Sequence, residues 1–217
     1  MSYLVSNLIA FLIALCAFIY GAVRMFKPKK PLYFKMLIWS VGCYALSLLS
    51  GIVYLWCHMA TEVWTWVFGI FGCEMFLLSA NYGAFDSLVD DGSFLKARYQ
   101  ALAAPLVIIM MMLVMAAVWW EDGISTVAIF AIMLGPSVPA SYFSLKHLLL
   151  PMDDFGLLRG TRQCDIIQLA FLVLALIYAV MMYYSSGPAT CALEILISII
   201  LCLLTFEAIR GEKAWKT

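Results

Sequence analysis

Long apolar runs alternate with short polar breaks along the whole chain. One membrane-spanning helix needs about 20 mainly apolar residues. Seven stretches reach that length, over 4–26, 34–57, 63–88, 99–120, 124–147, 165–184 and 189–209. The breaks hold the charges and turn-formers: "FKPKKP", "HMATE", "DDGSFLK", "EDG", "LPMDDFGLLRGTR" and "SSGP". Because most breaks are short, consecutive helices are expected to be antiparallel neighbours. The pattern therefore predicts an all-α integral membrane protein, a compact bundle of seven transmembrane helices forming one domain over 1–217. The segment between helices five and six is the one sizeable loop expected, amphipathic or irregular in character.

Composition agrees with the periodicity. Of 217 residues, 65% are hydrophobic and 12% charged, against roughly half and a quarter in ordinary globular chains. Such a chain must face lipid, so the bilayer of a plasma or inner membrane is its expected surrounding. No basic tract interleaved with aromatics provides a nucleic-acid footprint.

Net charge is zero, but the distribution of charge is informative. All 13 Lys and Arg residues fall in the connections after helices one, three and five and in the tail. The alternate connections carry only Glu62, Glu121 and Asp122. Basic connections stay cytoplasmic, which predicts an outer N-terminus and a cytoplasmic C-terminus. No basic residue precedes the first apolar run, so that run reads as a retained helix rather than a cleaved leader. Trp56, Trp64, Trp66, Trp119, Trp120, Tyr183 and Tyr184 fall at expected outer ends, as an interfacial aromatic belt would. Glu74 and Asp86 on helix three are spaced 12 apart, Glu194 and Glu207 on helix seven 13 apart. A weak parallel repeat of three helices, a linking fourth and three more would produce that match, and so would chance.

Polar residues inside the spans are the candidates for chemistry, because a carboxylate at mid-bilayer costs about 2.5–3.5 kcal/mol or more. On helix three, Gly69, Gly72, Cys73, Phe76, Ala80, Gly83 and Ser87 form a mostly small stripe suited to close helix packing, with Gly72 and Gly83 expected at tight contacts. Glu74 and Asn81, seven residues apart, are nearly eclipsed on another face. Helix seven carries Glu194, Ser198, Cys202 and Thr205 along one stripe, although Ser and Thr also bond back to their own helix. Helix two adds Ser40, Tyr44, Ser47, Gly51 and Tyr54. Helix five contains "GPSVPASYFS", where Pro136, with Ser137 beside it, and Pro139 interrupt the backbone near mid-span. Four polar faces in one bundle predict a shared interior cavity, with Glu74, Asn81, Glu194, Ser198, Thr205, Ser47, Tyr44, Pro136 and Ser137 along a ligand or proton pathway. Asp86 and Glu207 read as interfacial ion-pair partners, Glu207 with Arg210.

The seven cysteines form no CxxC pair and read as small apolar packing residues. His58 and His147 fall near opposite faces, so no metal site is expected. The last apolar run holds no lysine for a retinal Schiff base, and the chain has neither a Pro-Gln dipeptide nor a Gly-x-Ser-Gly motif. No catalytic nucleophile and no cofactor motif is present, which argues against an enzyme. The leading expectation is a transporter or carrier of a small solute, proton-coupled through Glu74 and Glu194. The alternative is a heptahelical receptor module that senses a small-molecule ligand and signals through a separate cytoplasmic protein partner.

Overall fold

The computed structural model describes residues 3–56, 63–86, 135–149, 156–184 and 187–214. Helix α1 spans Tyr3–Met25, α2 Leu32–Trp56, α3 Val63–Ser79, α4 Ser137–Leu149, α5 Gly156–Tyr184 and α6 Pro188–Ala214. Helix α3 runs on through Ala80–Asp86 as a π-helix. The described residues contain no strand. The helix expected over 99–120, residues 124–134 of the fifth, and Trp119 and Trp120 lie outside the described residues, as do the side chains of Trp64, Trp66, Asp86, Tyr183 and Tyr184.

Among the described residues, four helices are long and apolar enough to cross a membrane: Tyr3–Met25, Leu32–Val53, Gly160–Met181 and Pro188–Ala214. The 23 residues of α1 extend about 34 Å, enough for a hydrocarbon core of about 30 Å. The outward surface is apolar too. Leu12, Leu46, Val23 and Phe206 are exposed, while Asn7, Ser40, Glu74, Gln168 and Thr205 are buried. Water would not tolerate that arrangement, and lipid favours it. The chain has the character of a multi-pass membrane protein.

Each helix packs on the next, α1 on α2, α2 on α3, α3 on α4, α4 on α5 and α5 on α6, and α6 returns to α1. Helices α2 and α6 also touch each other. One end of this ring gathers Arg24, Lys30, Lys146, Arg162, Arg210 and Lys213 and is called the basic end below. There Lys30 on the α1–α2 connection meets Glu212 of α6 at 2.5 Å, with Glu212 almost fully buried. On the exposed side of α6, Arg210 lies 3.4 Å from Glu207.

Lipid provides no hydrophobic force to drive helices together, so close backbone approach has to supply dispersion energy instead. The buried face of α1 is therefore made of small residues: Ser6, Asn7, Ala10, Ala14, Ala17 and Gly21 precede Met25. Gly160 of α5 and Gly211 of α6 meet backbone to backbone, and a Cβ on either would strike the other's carbonyl oxygen. On α3, Gly69 abuts Ser47 and Gly72 lies against Cys43. Gly83 corrects the expected seam. It is exposed, and a Cβ there would meet nothing within 4 Å. The seam ends where the π-helix widens the turn at Ala80 and rotates the following residues.

Helix α5 begins at Gly156, within the segment before 165 that was expected to be an amphipathic or irregular loop. Hydropathy failed there because the added turns bury Thr161, Cys164 and Asp165 against protein. Arg162 and Gln163, between them, point outward.

The Gly160–Gly211 contact yields a paired test. Gly211→Ala should lower the thermal unfolding midpoint in detergent, with a loss of about 1–3 kcal/mol from overpacking. Gly83→Ala should leave the midpoint unchanged or slightly raised, since Ala is the better helix former. Equal midpoints for the two variants would show that α5 and α6 do not approach so closely.

Candidate functional site

Polar side chains occupy the bundle interior in three groups at successive depths. Farthest from the basic end lies Glu194, two turns into α6 and 2% exposed. Ser6 of α1 donates to its Oε2 at 3.4 Å, and Tyr178 of α5 donates to its Oε1 at 3.5 Å. Its backbone carbonyl accepts from Ser198 at 3.1 Å and from Tyr44 of α2 at 3.4 Å. Four helices thus converge on one residue. All four O–H···O contacts are longer than the usual range of about 2.5–3.0 Å, so the cage around Glu194 is loosely closed.

The second group is Glu74 on α3 and Ser137 at the start of α4. Glu74 is wholly buried, and among the described residues neither carboxylate oxygen has a hydrogen-bond partner. The Ser137 hydroxyl is likewise unpartnered. The polar groups facing Glu74 are that hydroxyl and the Ser137 backbone amide. Helix α4 opens with a turn at Gly135–Pro136, and Ala140 N donates to Pro136 O at 3.0 Å, so Ser137 is its first helical residue. Amides in the first turn have no acceptor inside their own helix, and that end carries partial positive charge. Pro139 falls in the same turn, where a missing N–H costs nothing. The two prolines therefore flank a helix start facing Glu74, at the place where they were expected to interrupt the backbone.

The third group lies nearest the basic end and is a continuous chain of contacts. Asn81 Nδ2 donates to Ser144 Oγ at 2.8 Å and to Gln168 Oε1 at 2.9 Å. Gln168 Nε2 donates to Tyr33 Oη at 3.2 Å, and the Tyr33 hydroxyl donates to Asp165 Oδ1 at 3.5 Å. His147 Nδ1 stands 3.7 Å from that same Oδ1, and both side chains are inaccessible to solvent. Six residues from α2, the π-helix, α4 and α5 are joined in this way. Asn81 Oδ1 and Asp165 Oδ2 are left without partners among the described residues.

Two rungs link α3 to α4, Glu74 facing Ser137 and Asn81 bonding Ser144. Both rungs advance by the same seven residues, so the two helices run parallel and in register. Tyr82 and Phe143, with ring centroids 5.1 Å apart, continue the seam.

The expected pathway residues fall into different places. Glu194, Ser198 and Tyr44 come together, Glu74 meets Ser137 with Pro136 just before it, and Asn81 belongs to the third group. The expected alignment of Asn81 with Glu74 does not become a pair, because the π-turn from Ala80 directs Asn81 toward α4 and α5. Thr205 bonds back to Leu201 O at 3.2 Å, and a Cβ on Gly21 would meet its methyl group. Ser47 packs against Gly69.

Four members of the third group were not singled out from sequence: Tyr33, His147, Asp165 and Gln168. Three of them sit at ends of apolar runs, where hydropathy reads a membrane boundary. Gln168 was legible, since it follows Cys164 and Asp165 at helical spacing. An apolar groove of about 180 Å³ runs along α1 and α2, lined by residues such as Phe11, Phe18, Trp39 and Leu46. Trp39 stacks there on Phe26 and Phe76. That groove lies apart from the polar groups.

No protein family, characterised protein or solved structure matches this chain.

The third group predicts energetic coupling between helices. Asn81→Ala and Gln168→Ala should each destabilise by about 1–3 kcal/mol, because each leaves a buried partner unsatisfied. The double variant should lose at least about 0.5 kcal/mol less than the sum. Unfolding free energies in mixed micelles read the cycle, and strict additivity would contradict the Asn81–Gln168 contact.

Proposed function

We propose that this protein is a membrane carrier for a small solute, coupled to protons through Glu74 and Glu194. The observation that supports this reading most is the state of Glu74. A carboxylate kept for packing is expected to satisfy its oxygens with hydrogen bonds, since an unsatisfied buried polar group costs several kcal/mol. Among the described residues Glu74 is buried, has neither oxygen within ordinary hydrogen-bond geometry of a partner, and faces the Ser137 hydroxyl and amide in the first turn of a helix. Such a group is suited to a partner that arrives and leaves. Ionised, it is held by the partial positive charge of the α4 start. Protonated, it loses that attraction and the two helices are free to shift. Glu194, in its loose cage, offers a second exchangeable position nearer the opposite end.

The seven-helix count, the outer N-terminus and the cytoplasmic C-terminus belong to the same proposal. The partition of basic residues supports it. So does the parallel pairing of α3 with α4, because the chain between them has to return from the basic end to at least the depth of Glu74. With the C-terminus inside, a fluorescent protein fused there should fluoresce and a phosphatase fused there should be inactive. An active phosphatase with a dark fluorescent fusion would reverse the orientation.

Coupling is tested in proteoliposomes holding a trapped pH-sensitive dye and challenged with a panel of sugars, amino acids and small amines. At least one solute should drive proton movement with the wild type. Glu74→Gln, which keeps shape and removes titration, should keep the fold and lose that movement at least about tenfold. Unchanged proton movement in Glu74→Gln would remove Glu74 from the coupling role.

A further inference from the structure

We propose that the groove between α1 and α2 binds an anionic phospholipid, with one acyl chain in the groove and the headgroup on Lys27, Lys29 and Lys35. The ligand comes from the leaflet that faces the basic end. The site needs only the bilayer and is independent of the carrier reading.

The groove faces lipid. It holds about 180 Å³, and its lining comes from α1 and α2 alone. Trp39, Leu46 and Leu49 on its rim are exposed, and its walls are apolar. Gly42 keeps the floor low, since a Cβ there would run into the Phe18 ring. Toward the basic end Phe18, Phe26 and Trp39 close on one another, with ring centroids 6.3, 5.8 and 5.2 Å apart. A flexible hydrocarbon chain suits such a channel, whereas a polar ligand would lose its hydration and find no bonding group along it.

Charge lies in line with the groove. Lys35, Trp39, Gly42, Leu46 and Leu49 follow at steps of four, three, four and three, which is one face of a helix. From Lys35 to Leu49 that face extends about 21 Å, somewhat more than the hydrocarbon depth of one leaflet, about 15 Å. The stripe therefore runs from headgroup level to the middle of the bilayer. Lys27 and Lys29 stand exposed on the α1–α2 connection at the same end. Among the described residues, none of these three lysines has a carboxylate within ion-pair distance, whereas Lys30 beside them is held by Glu212. Arg24 is placed over the Tyr20 ring. Uncompensated cations at headgroup level above an apolar channel complement a molecule that is anionic at one end and apolar along the rest.

A second copy of this chain suits the groove less well. Copies inserted in the same sense would bring their lysine clusters together across the contact, and like charges facing each other oppose association.

The test uses the full chain in phosphatidylcholine vesicles with a small fraction of a probe lipid carrying a diazirine on one acyl chain. The probe is either phosphatidylglycerol or phosphatidylcholine, and labelled residues are mapped by mass spectrometry after illumination. Ile166 and Leu203, exposed on α5 and α6, report ordinary lipid contact. Relative to those two positions, the phosphatidylglycerol probe should label the groove at least about tenfold more than the phosphatidylcholine probe. Lys27→Gln, Lys29→Gln and Lys35→Gln combined should bring that excess below about twofold and leave labelling at Ile166 and Leu203 unchanged. Where the triple variant does not fold, Lys35→Gln alone should cut the excess at least about threefold. Equal labelling of the wild-type groove by both probes overturns the proposal, and so does an excess that survives in every lysine variant that folds. A groove that neither probe labels is covered by protein, such as a second copy, and overturns it as well.

Discussion

Hydrocarbon gives a polar side chain nothing to bond, and this constraint orders the whole bundle. Every polar group placed at membrane depth has to face another helix, and the helices must then sit where those groups meet. Asn81 reaches Ser144 and Gln168 because the π-turn after Ser79 swings it into the space between α4 and α5. The same widening turn carries Gly83 out of the α2–α3 seam, leaving Gly69 and Gly72 to make the close approach. One local departure from α-helical geometry thus separates a packing seam from a polar junction.

Packing and polar bonding divide the work by position. Along α1 the interior face is almost all small residues, so that helix contributes proximity, and Ser6 near its start contributes a bond to Glu194. Helices α5 and α6 touch backbone to backbone at Gly160 and Gly211. Within two turns of that contact, Asp165 is positioned for Tyr33 and His147. A tight glycine crossing fixes α5 well enough to hold an ionisable side chain at a defined place, which a looser contact of large side chains would not do. Among the described residues, Glu74 is the carboxylate with both oxygens outside hydrogen-bond distance of a partner. It faces a helix start without closing a bond, and an unsatisfied carboxylate is where chemistry is expected to reside.

Much of this was legible in the sequence, for identifiable reasons. Runs of about 20 apolar residues located α1, α2, α3 and α6, because length and hydropathy are set directly by bilayer thickness. Glu74, Asn81 and Glu194 stood out because polar residues are rare inside such runs. The third group was less visible. Tyr33, His147 and Asp165 lie where apolar runs end, and hydropathy alone treats such positions as loop. Their burial depends on α5 starting at Gly156 and on α4 lying alongside, which are facts of packing rather than of local sequence. Pro136 and Pro139 were expected to interrupt the backbone near mid-span, and among the described residues they flank the start of α4, where a first turn accommodates them. Among the described residues the polar faces expected to share a cavity form three groups at different depths, because periodicity assigns faces but not partners.

The central claim is that Glu74 and Asn81 face the protein interior while lipid covers the opposite side of the same helix. Site-directed spin labels placed singly from Cys73 to Tyr82, in a cysteine-free background in lipid bilayers, test it most directly through their collision rates with dissolved oxygen. Met75 and Tyr82 are exposed, while Glu74, Leu77 and Asn81 are buried. Cys73 and Ala80 are buried as well, so oxygen accessibility should peak at 75 and 82 and reach its minima at 73, 74, 77, 80 and 81. Maxima at 74 and 81 would turn α3 around, put its carboxylate against lipid, and contradict the interior pathway from which the function is argued.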